Sequence, residues 1–196
     1  MNAYGPSFHH LTQNKLVFEY ATVYPSFAVY IDLKLDDHST VDERSNVYGL
    51  MAAAGSVDPY EESQIPAVYI QPNSNILEIC VSPGIPYSDI FDSCFTGITF
   101  TPNEWFTLAF GSFCWDECYL VVQKDYEVKA YWILNSWNQT WYDVSGIIGN
   151  TYNQSDIIAA TGEYMNFYLD SEEDQNDLSF FVTTEPDKTG AENYTA

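Results

Sequence analysis

The chain is poor in basic residues and has no long apolar run, and both shortages exclude classes of partner. Its 196 residues include 6 Lys and Arg against 28 Asp and Glu, a net charge of −22. A surface of that sign repels the phosphate backbone of nucleic acid and the anionic headgroups of a membrane. No window reaches the roughly 18 apolar residues of a membrane-spanning helix. We therefore expect neither nucleic-acid binding nor membrane insertion.

Groups for nucleophilic catalysis and phosphate binding are also scarce. The histidines are His9, His10 and His38, none beside a Gly-x-Ser-x-Gly turn, and the chain has no glycine-rich phosphate loop. Paired carboxylates are the catalytic route that the acidic composition leaves open. The nearest match to the Glu-x-Asp-x-x-Glu strand of sandwich glucanases is 172–177, which lacks the last Glu and any apolar alternation. The sequence predicts no catalytic residue and no enzyme activity.

The cysteines and glycosylation sequons bear on where the protein works. The first ten residues lack the basic segment and apolar core of a secretion signal, so a signal has been removed or the protein stays inside the cell. Four cysteines are an even number, and Asn-x-Ser/Thr sequons begin at Asn138, Asn153 and Asn193. Together the cysteines and the sequons favour a protein whose secretion signal has been removed. We expect a secreted protein with glycans on these asparagines.

The cysteines fall into two pairs that suit disulfides. Cys114 and Cys118 flank a three-residue tip where a hairpin closes, which keeps their Cα atoms within disulfide reach. Cys80 and Cys94 lie on successive strand segments, and a bridge between them would close a longer loop. A four-cysteine zinc site is the alternative. Structural zinc usually needs two closely spaced Cys pairs, and only one is present.

Apolar and polar side chains alternate in short segments, which indicates a β protein. Within Phe27–Leu35 the odd-numbered residues are apolar, whereas Asp32 and Lys34 fall on the opposite face, so we expect a strand with one solvated side. Helical periodicity is missing, and at most a short helical turn is expected over 155–160. Related segments, separated by turn-forming residues, lie at 16–24, 46–54, 67–70, 76–81, 95–100, 105–113, 119–123, 128–134, 164–169 and 178–183.

One domain accounts for the length. Short antiparallel strands with one solvated face build sandwiches or barrels. Apolar residues make up 46% of the chain, enough to form a sizeable core. We expect a single all-β domain over 1–196, with its core at about 16–183 and polar tails at 1–15 and 184–196.

Two groups of side chains are candidate ligand sites. Asp36, Asp37 and Asp42 share an acidic loop that could supply the hard oxygens calcium takes, with a solvated charged loop as the alternative. A second group, near the Asn138 sequon, comprises Trp137, Trp141 and Tyr142. Exposed indoles stack on sugar C–H groups, but aromatic residues also fill cores, and a glycan on Asn138 would compete for this surface.

Five segments of the chain share a family pattern, and they lie at 24–35, 46–50, 65–70, 103–108 and 161–167. Taken in this order, they resemble the laminin G and concanavalin A-like lectin superfamily. The resemblance implies a jelly-roll sandwich of two curved antiparallel sheets, used for extracellular adhesion and for binding glycan or protein, sometimes through calcium. The chain departs from that pattern in its acidity, in the Cys114-to-Cys118 tip and in lacking a recognisable calcium ligand set.

The leading hypothesis is therefore a secreted, non-catalytic binding or adhesion module for glycan or extracellular protein. The alternative is a structural subunit of an extracellular assembly, because open sandwiches have edges that a neighbour's terminal segment can pair with. Terminal segments that cross to another copy would favour assembly, and segments that pack on their own domain would not.

Overall fold

A computed structural model describes residues 8–24, 26–52, 65–81, 93–114, 118–134, 141–149, 156–171 and 192–194. Within these ranges the chain forms fourteen β-strands, and no helix suited to crossing a membrane occurs among them. The strands are β1 (His9–His10), β2 (Lys15–Val23), β3 (Phe27–Leu35), β4 (Arg44–Ala52), β5 (Ile65–Ile70), β6 (Ile76–Val81), β7 (Ser93–Thr99), β8 (Trp105–Cys114), β9 (Cys118–Lys124), β10 (Glu127–Leu134), β11 (Trp141–Ile148), β12 (Ile157–Ala159), β13 (Gly162–Ser171) and β14 (Glu192–Tyr194).

The strands form two sheets. Sheet I has the order β1-β13-β3-β8-β9-β10-β14, and sheet II has the order β2-β11-β4-β5-β6-β7 with β12 beside β4. Among the described strands the pairing is antiparallel except for β10 with β14 and β12 with β4. This arrangement confirms the predicted two-sheet, all-β sandwich of jelly-roll type.

The core lies between the sheets and is built from the apolar face of each. Phe27, Val29, Ile31, Leu33 and Leu35 are each at most 1% exposed, so the predicted inward face of β3 is confirmed. Burying one such side chain contributes roughly 1.5–3 kcal/mol. The same core cluster includes side chains from sheet I at Leu108, Phe110 and Phe167 and from sheet II at Val47, Tyr48, Val68, Leu77 and Val144.

The opposite face of β3 differs from the expectation of a solvated side. Ala28 is 2% exposed and Asp32 is 9% exposed, although both point away from the core. Ala28 packs against Ala109 and Val121 of neighbouring strands. Side chains from adjacent strands thus cover part of this face. The alternation of residues along a single strand cannot predict this covering.

A strand stands where at most a helical turn was expected. Ile157–Ala159 pairs in parallel with the start of β4, opposite Arg44–Asn46. The neighbouring strand supplies hydrogen-bond partners for the backbone, and Ile157 is buried in a small cluster with Ala67 and Tyr69. The sequence allowed at most a helical turn over 155–160, and a strand forms there because its pairing partner lies far away in sequence.

Both terminal segments contain short strands that pair with their own chain. His9–His10 pairs with β13, and Glu192–Tyr194 pairs with β10. These strands lie within the ranges that the composition marks as polar tails. Terminal segments that cross to another copy would have favoured a structural assembly. Because these segments pack on their own chain, that support for the assembly hypothesis is lost.

The strand registers bring the cysteines of each predicted pair opposite one another. Cys80 lies opposite Cys94 between β6 and β7, and Cys80 is disulfide-bonded. Cys114 lies opposite Cys118 where β8 and β9 meet. These registers support the predicted pairings. The bridge between Cys114 and Cys118 stays a prediction.

Candidate functional site

The outward-pointing side of sheet I carries a strip of polar and aromatic side chains, which we call the outer face. Directly opposed residues of an antiparallel pair point to the same side, so the strand registers define rows across this face. Successive rows are Glu163, Lys34 and Trp105; Met165, Asp32 and Thr107; Tyr168, Tyr30, Ala109, Gln123 and Val128; and Asp170, Ala28, Gly111 and Val121.

A bulge in β13 decides which of its side chains reach the outer face. The pairing with β3 shifts between Met165 and Tyr168, and Asn166 has a φ of 51°. Asn tolerates this left-handed conformation better than most residues. Consequently Met165 and Asn166 both lie on the outer side, while Phe167 turns into the core at 3% exposure.

Asp32 lies at the centre of the outer face and joins three strands. Thr107 Oγ1 donates to Asp32 Oδ1 at 2.6 Å, and Asn166 Nδ2 donates to Asp32 Oδ2 at 2.7 Å. Hydrogen bonds to an ionised carboxylate are stronger than neutral ones. The contacts fix the Thr107 and Asn166 side chains, so the polar groups of this face are arranged before any ligand arrives.

Tyr126 presents the most exposed aromatic ring of this face. It is 74% exposed, and its hydroxyl lies 2.9 Å from the Tyr30 hydroxyl. Burial and the hydrogen bond with Tyr126 raise the pKa of Tyr30 to about 12. The Tyr30 hydroxyl is therefore neutral at physiological pH and able to donate and accept hydrogen bonds.

The backbone at Tyr126 is in an unusual conformation for a tyrosine. Asp125 and Tyr126 form the two-residue turn between β9 and β10, with φ values of 53° and 67°. Such turns favour Gly at the second position, and a left-handed residue with a side chain costs roughly 1–2 kcal/mol. Asp125 offsets part of that cost because its Oδ1 accepts from the Thr107 N–H at 3.0 Å. The chain thus places a tyrosine at the rim of the outer face, in a backbone conformation that a glycine would adopt at lower cost in free energy.

The other end of the outer face carries a second aromatic group. Trp105 is 37% exposed, and the Phe8 ring lies 5.5 Å from it, centroid to centroid. Next to Trp105 in the row, Lys34 Nζ lies 3.3 Å from Glu163 Oε2. A half-exposed ion pair of this kind contributes about 0–1 kcal/mol to stability. Exposed rings therefore flank a central strip of hydrogen-bonding groups.

The predicted calcium loop is tied to the turn before β6. Asp37 Oδ1 accepts from Asn75 Nδ2 at 2.9 Å and from the Ser39 N–H at 3.0 Å. These hydrogen bonds lower the pKa of Asp37, which is exposed together with Asp36 and Asp42. Over the described ranges, no three His, Cys, Asp or Glu side chains form a group suited to a metal ion. Calcium binding at this loop stays a prediction.

Half of the residues predicted to bind or carry sugar lie outside the described ranges. Trp137, Asn138 and Asn153 are in this group. Their predicted roles are untested, as are those of three residues within described strands: Trp141 and Tyr142 in β11, and Asn193 in β14.

Sequence reasoning missed the outer face as a unit. Tyr30, Asp32 and Lys34 alternate along β3, a pattern that by itself predicts only an ordinary solvated face. Thr107, Asn166 and Tyr126 come from distant parts of the chain. Only the strand registers bring these groups together.

Solved structures with a similar fold are receptor-binding domains of botulinum neurotoxins. The receptor-binding domain of botulinum neurotoxin D is 11% identical, with a TM-score of 0.55, and the match covers 90% of this chain and 43% of that chain. The binding domain of serotype G is 8% identical, with a TM-score of 0.54, 86% of this chain and 40% of that chain. The likeness is one of fold.

The present chain spans less than half the length of these neighbours. No protein-family model matches it, and no curated protein matches it significantly.

Proposed function

We propose that this chain is a secreted, non-catalytic binding module of the laminin G-like type, and that the outer face of sheet I is its ligand surface. The observation that carries the proposal is the Asp32 network between two exposed aromatic groups, Tyr126 and Trp105. The structural neighbours are receptor-binding domains of neurotoxins, which is compatible with a binding role for the fold. Fold alone does not assign a function, so the proposal rests on the face itself.

A glycan is the ligand class that this face suits best. A sugar offers C–H groups for stacking on an aromatic ring and hydroxyls for hydrogen bonds. Tyr126 supplies an exposed ring, and Asn166 supplies an amide that Asp32 already orients at 2.7 Å. Fixing the amide beforehand lowers the conformational entropy lost on binding. A protein ligand is the second class, and it would meet the same rings.

The net charge of the chain restricts which class of glycan the outer face can bind. With a net charge of −22, the protein repels sulfated or sialylated glycans at low salt. Repulsion of that kind does not act on neutral sugars. We therefore propose neutral hexoses as the first ligands to test.

A glycan array tests the proposal directly. The secreted protein is applied with and without calcium, and hits are measured by titration calorimetry. Tyr126→Ala and Trp105→Ala each remove an exposed ring from the outer face and should weaken binding at least tenfold, about 1.4 kcal/mol. The matched control is Ile158→Ala on β12 in sheet II, where the side chain is 36% exposed. That variant should bind like the wild type.

Three outcomes separate the possibilities. Loss of binding in the two outer-face variants, with binding kept in the control, supports the proposal. A hit that all variants bind equally would place the ligand surface elsewhere. If the array gives no binder with or without calcium and no extracellular protein is captured, the binding-module proposal fails.

The domain, glycan and disulfide assignments predicted from the sequence form part of this proposal. We propose a single domain over 1–196, with glycans at Asn138, Asn153 and Asn193 and a disulfide between Cys114 and Cys118. Non-reducing peptide mapping of protein secreted from a eukaryotic host tests the glycan and disulfide assignments. Unmodified asparagines, or a free thiol at Cys118, would overturn the corresponding assignment.

A further inference from the structure

At the end of sheet I where β3 ends and β8 begins, an open recess of about 360 Å³ lies beside the outer face. Four chain segments surround it: the end of β1, the end of β3, the turn before β8 and the start of β13. Small-molecule sites span about 300–1,000 Å³, and the recess lies at the small end of that range, which suits one small ring. The side chains around it include His10, Lys34, Asp36, Asn103, Thr161 and Glu163.

Backbone hydrogen bonds join these segments and fix the shape of the recess. Three N–H groups donate from one segment to a carbonyl of another: Leu11 to Gly162 at 2.9 Å, Asp36 to Thr161 at 3.1 Å and Asn103 to Leu35 at 2.7 Å. Asn103 has a φ of 62°, a left-handed conformation that Asn tolerates better than most residues. Because the four segments are bonded to one another, the recess is formed before a ligand arrives, which lowers the entropy lost on binding.

The strand registers place an ion pair at the wall of the recess. His10 lies opposite Glu163, and Glu163 lies opposite Lys34, so these side chains point to the same side of sheet I. Lys34 Nζ lies 3.3 Å from Glu163 Oε2, and the two side chains are 34% and 30% exposed. An ammonium has three N–H donors and a carboxylate has about four acceptor sites, and their mutual bond uses one of each. Both groups can therefore bind a ligand while they stay paired.

The arrangement of charges favours an uncharged ligand. An anion would draw the Lys34 ammonium away from Glu163 and would approach a second carboxylate, because Asp36 also lines the recess. A cation would compete with Lys34 for Glu163. Hydroxyl groups leave the ion pair intact and form hydrogen bonds to charged groups, which are stronger than neutral ones. A compound with several hydroxyls and no net charge thus matches the recess.

Two aromatic rings lie beside the ion pair. Trp105 lies opposite Lys34 in the register of β3 and β8, and the Phe8 ring lies 5.5 Å from the Trp105 ring. Phe8 directly precedes β1, and β13 and β3 separate β1 from β8 in the sheet. The two rings therefore meet across the outward side of those strands. Apolar rings next to charged hydrogen-bonding groups complement the C–H and O–H groups of a sugar.

We propose that this recess is a subsite for one uncharged pyranose ring, whose hydroxyls donate to Glu163 and accept from Lys34 Nζ while its C–H groups contact Trp105. The inference rests on the proposed glycan-binding role of the outer face and extends it to a second place on the same side of sheet I. The recess holds one sugar ring, and the strip around Asp32 holds the adjoining part of the glycan.

The methyl glycosides of glucose, galactose and mannose are the probes, and the corresponding uronic acid glycosides are their anionic analogues. At the ligand efficiency of drug-sized compounds, a ring with about a dozen heavy atoms reaches a Kd on the order of 1 mM, which amide chemical-shift titrations measure. We expect at least one neutral glycoside to bind, with shift changes concentrated at 10–11, 34–36 and 161–163. Its uronic acid analogue should bind at least about fivefold more weakly.

Matched variants separate charge from space. Glu163→Gln keeps the side-chain shape and should weaken binding about fivefold or more, since hydrogen bonds to charged groups are the stronger ones. Glu104→Gln makes the same change in net charge at an exposed residue that does not line the recess, and should change the affinity less than about twofold.

Thr161→Tyr fills the recess and should abolish binding. Its control is Thr101→Tyr, at an exposed threonine that does not line the recess, and this variant should bind like the wild type. The amide spectrum of each variant first shows that it folds.

Several results would overturn the proposal. These are no shift changes at the recess with any of the three glycosides, undiminished binding by Glu163→Gln or Thr161→Tyr, and equal affinity for the uronic acid analogues. Shift changes confined to the surroundings of Asp32 and Tyr126 would overturn the recess subsite and leave the outer face as the ligand surface. Sugar binding at the recess, combined with array hits that ignore Tyr126→Ala and Trp105→Ala, would support the subsite and overturn the outer face. The two proposals can therefore fail separately.

Discussion

Tyr48 offers a sharp test of the core, because its hydroxyl is buried in the sandwich and has no hydrogen-bond partner among the described residues. The side chain is 0% exposed, and its ring packs against Phe167 and Phe110 at centroid distances of 5.1 and 6.3 Å. Burial raises the pKa of Tyr48 well above its ordinary value, so the hydroxyl stays neutral. An unpaired buried hydroxyl costs about 1–3 kcal/mol.

Tyr48→Phe removes that hydroxyl and leaves the ring in place. The void left by one oxygen, about 15 Å³ at about 24 cal/mol per Å³, costs roughly 0.4 kcal/mol. The net expectation is a gain of about 1–2 kcal/mol in the free energy of unfolding, and about 2–4 °C in Tm for each kcal/mol.

Urea unfolding and calorimetry measure this change. Tyr126→Phe is the control, since the same atom is removed from an exposed ring whose hydroxyl has a partner, and it should be neutral or lose up to about 1 kcal/mol. A Tyr48→Phe protein less stable than the wild type would refute the reasoning and would mean that the Tyr48 hydroxyl is satisfied in solution.

Four further predictions follow from Asp170, the outer face and Gly162. Burial raises the pKa of Asp170, so its carboxyl ionises at lower pH in the unfolded chain than in the folded one. The free energy of unfolding should therefore fall as the pH rises from the unfolded-state pKa through the folded-state pKa. Urea unfolding of Asp170→Asn at several pH values should lack this fall in stability. In Tyr126→Phe, an NMR titration should show the pKa of Tyr30 lowered from about 12 but still above its ordinary value, since burial persists. Asp32→Ala removes two carboxylate hydrogen bonds and should destabilise the chain by about 2–4 kcal/mol in urea unfolding. Gly162→Ala would push a Cβ against the Lys34 carbonyl at a φ of +141°, and should lower stability by about 2 kcal/mol or more in the same assay.

The fold was largely predictable because sequence patterns within single segments determine where the strands lie and which face of each strand is apolar. The period-two pattern of Phe27–Leu35 fixes which face of β3 is apolar, and burial of that face selects the register against β8 and β13. Turn residues then mark where strands end, as at Asn73, which has a φ of 52°. Such signals lie within a few residues of the structure they predict.

The candidate sites were not predictable, because they depend on how distant strands meet. Asp32 looks like a solvated residue in the sequence, yet Thr107 and Asn166 cover it from two other strands. Tyr48 follows Val47 in a segment without strict alternation, so its burial does not follow from period two.

The bulge at Asn166 is the feature on which the outer face depends. Without its extra residue, the register of β13 against β3 would set Phe167 opposite Tyr30 and Asp170 opposite Phe27. Phe167 would then leave the core, and the Asp170 carboxylate would point into it. With the bulge, Phe167 lies in the core at 3% exposure, and Asp170 lies opposite Ala28 on the outward side of sheet I. The bulge also brings the Asn166 amide to the outer face, so one inserted residue in β13 shapes that face.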